Sequence, residues 1–126
     1  MGKNRFLIAA AFYFVFLSVL SHVPGSVLEV MAENFWDKAM HFFVYIPLGL
    51  LLTLGFISRG LTERRLSILL IVTVIVFGLG AIDEFHQSFV PGRSATFSDV
   101  VADVMGGFFG AVIGLFVGLT VLRKHG

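Results

Sequence analysis

The chain has 126 residues, of which 57% are hydrophobic and 13% charged, with a formal net charge of +1 and a mean hydropathy of +0.95. That balance excludes an ordinary soluble domain, which could not hide so much apolar surface, and it leaves no basic tract for nucleic acid. Cysteine is absent, so disulfides, thiolate nucleophiles and cysteine metal sites are excluded too.

Four apolar runs follow in order: Phe6 to about Val23, Ala39 to Ile57, Leu66 to Ile82, and Val100 to Leu122. Each has roughly the ~17 to 25 residues that an α-helix needs to cross a bilayer. Backbone groups in lipid must bond internally, and the runs lack the alternation of barrel strands. The expectation is an all-α fold, a single domain over residues 1–126, with four transmembrane helices in an antiparallel bundle.

Lys3 and Arg5 precede the first run, but no small-residue cleavage pattern follows at "SVLSHVPGSVLEV", so it reads as an uncleaved helix rather than a signal peptide. The next segment, "SHVPGSVLEVMAENFWDK", opens on a Pro-Gly breaker and suits a short interfacial helix with Trp36 at headgroup depth. The second run contains Pro47, where a kink is expected. The loop "SRGLTERR" is short and basic, and Pro91-Gly92 after the third run signals a tight turn. In the fourth run, Gly106, Gly110, Gly114 and Gly118 recur every four residues as a close-packing face. Helix 2 or 3 of the same chain is the preferred partner for that face, with a homo-oligomer as the other option.

Charge orients the bundle. Seven of the nine basic residues (Lys3, Arg5, Arg59, Arg64, Arg65, Arg123, Lys124) fall on one side of a four-span chain. By the positive-inside rule that side is cytoplasmic, with both termini inside, as in a bacterial inner-membrane protein. Seven of the eight acids lie toward the other face.

The outer ends carry the chemistry. Asp37, His41 and Tyr45 stand four residues apart on one helix face, with His41 about 6 Å and Tyr45 about 12 Å inward of Asp37. Asp83 shares a face with His86 and Gln87, and Asp99 shares one with Asp103. Several of these have ordinary explanations. Asp37 suits a helix N-terminus, Asp99 could complete a capping box with Thr96, Lys38 could anchor at the interface, and Arg93 could be a plain loop cation. Asp83 and Glu84, however, sit at a helix C-terminus, which the macrodipole disfavours by about 0.3 to 1 kcal/mol each. His41 and Asp103 interrupt apolar runs, where an ionisable group costs about 2.5 to 3.5 kcal/mol at mid-bilayer.

A shared outward-facing pocket is expected from these positions, and three chemistries fit it. His41 and His86 with carboxylates from Asp83, Glu84, Asp99 or Asp103 could bind a divalent metal, although no HExxH spacing is present. A histidine and carboxylate could act as general acid and base on a lipid-linked headgroup, with Arg93 and Lys38 holding a phosphate or carboxylate. The same groups could instead only bind, or brace the helices. No serine or cysteine nucleophile motif appears, and an ion path is disfavoured because the inner halves offer only Thr53, Ser67 and Thr73.

The stretches "DKAMHFFVY", "DEFHQSFVPGRSATFSDVVAD" and "GGFFG" resemble those of the VanZ-like family of small bacterial membrane proteins. The resemblance covers helices 2 to 4, and the joint occurrence of its first two motifs is specific. Asp37, Lys38, His41, Tyr45, Asp83, Glu84, His86, Gln87, Arg93 and Asp99 match the family pattern, while Asp103 stands where the family often has Asn. The founding member is associated with resistance to the glycopeptide teicoplanin. The resemblance therefore implies an envelope setting, with a membrane lipid or lipid-linked cell-wall precursor as partner. Within that expectation His41, Asp83, Glu84, His86 and Asp103 are the candidate reacting groups, and Asp37, Lys38, Tyr45, Gln87, Arg93 and Asp99 the candidate binding groups.

Overall fold

A computed structural model describes residues 2–21, 34–91 and 96–121, with side chains from Lys38 onward in the second stretch. All the regular elements among them are helices: α1 (Arg5–Ser21), α2 (Asn34–Ser58), α3 (Arg65–Gln87) and α4 (Phe97–Val121). The proposed interfacial helix, the Pro91-Gly92 turn beyond Pro91, and the basic residues Arg123 and Lys124 lie outside the described residues.

The helix boundaries have local causes. After α2 the chain reverses through Gly60, whose φ of 90° suits a residue without a Cβ. The Gly60 amide donates to Ile57 and the Leu61 amide to Phe56, the paired bonds of a Schellman C-cap. Beyond the apolar run that ends at Ile82, α3 continues to Gln87, so "DEFHQ" is helical rather than loop. Pro47 lies inside α2, which runs on through it.

Among the described residues three helices are long and apolar enough to cross a membrane: Lys38–Ser58 within α2, together with α3 and α4. At 17 residues α1 is shorter, about 26 Å at ~1.5 Å per residue, against a hydrocarbon core of ~30 Å. Four full-length spans are thus more than the helix lengths support. Large apolar side chains on all four helices point outward, among them Phe12, Phe16, Val74, Phe77, Val112 and Phe116. So continuous an exposed apolar coat is the mark of a chain solvated by lipid.

Packing is tightest between α2 and α4, with α3 on α4 and α1 on α2. The glycine stripe explains why. A Cβ on Gly106 would strike the Phe42 carbonyl, one on Gly110 the Ile46 carbonyl, and one on Gly114 or Gly118 would press on Thr53 or Ile57. From the other side, a Cβ on Gly49 would strike Gly107. The close-packing face is therefore used within the chain, against α2. On α1, the Tyr13 hydroxyl donates to the Val44 carbonyl at 2.5 Å, locking that helix to α2. At the basic end, Arg59 Nη1 donates to Asn4 Oδ1 at 2.9 Å, joining the start of α1 to the loop after α2.

Candidate functional site

At the opposite end from Arg59, three helices bring ionisable side chains together out of water. His41 comes from α2, Asp83, Glu84 and Gln87 from α3, and Asp99 and Asp103 from α4, all of them buried. Each acid is placed by a helix that is apolar over most of its length.

Two linked groups make up the cluster. In the first, His41 Nδ1 lies 2.7 Å from Asp103 Oδ1, and Nε2 on the far side of the ring lies 3.8 Å from Glu84 Oε1. With Asp103 ionised, a carboxylate that can only accept, the Nδ1–H donates to it, and the ring presents Nε2 toward Glu84. The carboxylate of Asp103 has room because α3 carries Gly80 beside it, where a Cβ would come within 3.0 Å of Oδ2. Glu84 Oε2 in turn accepts the Thr96 backbone N–H at 3.2 Å. The capping box that Asp99 could have completed with Thr96 is not formed. The amide at the start of α4 is satisfied by Glu84 from a neighbouring helix, not by Asp99, and Asp99 Oδ1 is left buried with no hydrogen-bond partner among the described residues.

The second group centres on Asp83. Ser21 Oγ, at the end of α1, donates to Asp83 Oδ1 at 2.7 Å, and the Tyr45 hydroxyl approaches Oδ2 at 3.5 Å. Asp83 thereby ties α3 to both α1 and α2. Tyr45 is buried, so the depth expected for it below His41 places it at this tie.

Not every expected residue joins the cluster. His86 is exposed on α3, so the pairing of two imidazoles in one pocket is not found. Lys38 is half-buried, and Gln87 is buried next to the acids in sequence. The side chain of Asp37 and the whole of Arg93 lie outside the described residues. Ser21 and Gly80 were not anticipated. Ser21 is the last residue of the apolar α1, a weak signal on its own, and Gly80 stands one turn before Glu84.

Chemically, the arrangement offers one oriented imidazole, carboxylates from two helices and, among the described residues, two buried carboxylate oxygens without a hydrogen-bond partner, Asp99 Oδ1 and Asp103 Oδ2. His41, Glu84 and Asp99 each contribute a possible ligand atom, all within 4.8 Å of one another. The sequence also matches a family model, VanZ/LLP1, over residues 5–118. No curated protein and no solved structure matches the chain. With the match running from the first residue of α1 almost to the end of α4, the chain belongs to the VanZ/LLP1 family of membrane proteins.

Proposed function

We propose that this protein sits in the bacterial inner membrane as a four-span bundle with both termini in the cytoplasm, and that its outer cluster binds or modifies the headgroup of an envelope lipid. The observation that carries the reading is the burial of His41, Glu84, Asp99 and Asp103 at one end of an otherwise apolar bundle, where the insertion cost needs a functional return. Orientation rests on the basic residues Lys3, Arg5, Arg59, Arg64 and Arg65 at the other end. A fourth span is supported by the outward-facing Ile8, Phe12, Val15 and Val19 of α1, which suit lipid better than water. Arg93 and Lys38 are the cations suited to a headgroup phosphate, and a lipid-linked cell-wall precursor is the substrate class that fits the family resemblance. A tie to teicoplanin resistance belongs to the same proposal, as does any homo-oligomer, which would need a face other than the glycine stripe.

The test is lipid retention. Wild type, His41→Ala and Glu84→Gln are purified in mild detergent, and co-purifying lipids are identified by mass spectrometry. The reading expects one phosphate-containing lipid class to be enriched in wild type and lost from both variants at equal membrane insertion. An unchanged lipid profile in both overturns it. Cysteine labelling at position 93 from outside intact cells tests the orientation separately.

A second reading draws on one specific observation, the Ser21–Asp83–Tyr45 tie and the His41–Asp103 pair, which together link all four helices. On that reading the cluster is a non-catalytic brace, and cellular function falls in proportion to thermal stability in every variant.

A further inference from the structure

We propose that His41, Glu84 and Asp99 form a binding site for a single divalent transition ion, zinc or manganese, with Asp103 fixing the His41 ring. The three residues come from three different helices and each offers a ligand atom, all within 4.8 Å of one another. Donors about 2.1 Å from a common ion lie about 3 to 4 Å apart, so no pair within that limit has to close by more than about 1 to 2 Å when the ion enters. The 3.8 Å between His41 Nε2 and Glu84 Oε1 is already at that spacing.

Independent support comes from Asp99. Asp99 is 2% exposed and its Oδ1 has no hydrogen-bond partner among the described residues. A carboxylate oxygen in that position loses its hydration and gains nothing, which costs several kcal/mol unless a cation or proton takes up the space. A divalent ion would offset the two ligand carboxylates at once.

The surroundings are those a metal site needs. Ligating histidines usually donate their other ring N–H to a carboxylate, which fixes the tautomer and raises the basicity of the ligating nitrogen. His41 does so through Nδ1 to Asp103 at 2.7 Å. Glu84 is anchored in the same sense, with Oε2 on the Thr96 amide. One imidazole with two carboxylates is a donor set for borderline or hard first-row ions and disfavours copper(I). Three protein ligands leave positions for water or a headgroup oxygen.

The ion site does not depend on the lipid reading, and the experiment separates them. Purified full-length protein is stripped with chelator and exchanged into metal-free detergent buffer without added lipid. It is then titrated calorimetrically with zinc and with manganese, and metal content is measured after desalting. Wild type is expected to take up a single ion per chain. Asp99→Asn and Glu84→Gln should each weaken binding by about a hundred-fold or more, and Asp103→Ala by about 10- to 100-fold as a residue acting through His41. Glu63→Gln, an exposed acid at the basic end, should bind as wild type does. Uptake unaffected by Asp99→Asn and Glu84→Gln overturns the site, as does wild type that binds neither ion. If the variants do not fold, cobalt-loaded wild type decides: visible ligand-field bands with imidazole coordination support the site, and a spectrum of the hydrated ion refutes it.

Discussion

His41 Nδ1 and Asp103 Oδ1 lie 2.7 Å apart across the tightest helix interface of the protein, with His41 7% and Asp103 0% exposed. The pair is both a strut between α2 and α4 and the device that aims the imidazole. Two substitutions separate those roles from the charge. Asp103→Asn keeps an acceptor for the Nδ1–H and should lower thermal stability in detergent only slightly. Asp103→Ala leaves a buried donor unpaired and a void beside Gly80, and should cost about 3 to 5 kcal/mol. Equal melting temperatures for the two variants would show that the bond adds nothing.

Gly80 is the second support of that pair. A methyl group there would lie 3.0 Å from Asp103 Oδ2 and 3.2 Å from its Cβ, whereas a methyl on Gly78, two residues earlier, meets nothing within 4 Å. Gly80→Ala should therefore destabilise by about 1 to 3 kcal/mol through overpacking. Gly78→Ala should be neutral or mildly stabilising, since alanine is the better helix former. Differential scanning fluorimetry on the two variants side by side checks the contrast, and the idea fails if they melt together.

The parts of this site that could be read from sequence were those that violate a rule. Acids at a helix C-terminus and ionisable groups inside apolar runs are costly where they stand, so Asp83, Glu84, His41 and Asp103 announce themselves. What could not be read depended on rotation and on neighbours. His86 shares an i, i+3 relation with Asp83, but α3 buries the arc containing Gly80, Asp83, Glu84 and Gln87. At ~100° per residue, His86 falls about 110° from the centre of that arc and is exposed. Which partner caps α4 was equally hidden, because the Glu84 carboxylate reaches Thr96 only once α3 and α4 are packed. The glycine stripe was legible as a close-packing face, while its contact with α2 rests on the carbonyls of Phe42 and Ile46, which no side-chain pattern marks.

Ser21 and Asp83 test whether α1 is held by a polar bond or by apolar contact alone. Their 2.7 Å hydrogen bond is buried and has an acidic acceptor, the stronger class of hydrogen bond. Ser21→Ala should cost about 1 to 3 kcal/mol, because the Asp83 oxygen loses a donor it cannot replace from solvent. Asp83→Ala in the same background gives a double-mutant cycle, and a coupling energy near zero would mean that the bond is not formed in the membrane.

The glycine stripe yields a ranking rather than a single value, because the atom that an added methyl would meet differs along α4. At Gly106 and Gly110 that atom is a backbone carbonyl of α2, which can yield only if the helices separate. At Gly118 it is Ile57 Cδ1, 2.6 Å away, the end of a side chain that can change rotamer. Alanine at 106 or 110 should therefore unseat the α2–α4 interface and, with it, the His41–Asp103 pair one to two turns away, so that stability and metal uptake fall together. Alanine at 118 should lower the melting temperature by a smaller amount and leave metal uptake unchanged. Measuring both quantities on the three variants distinguishes a backbone contact from generic crowding, since crowding would penalise all three alike.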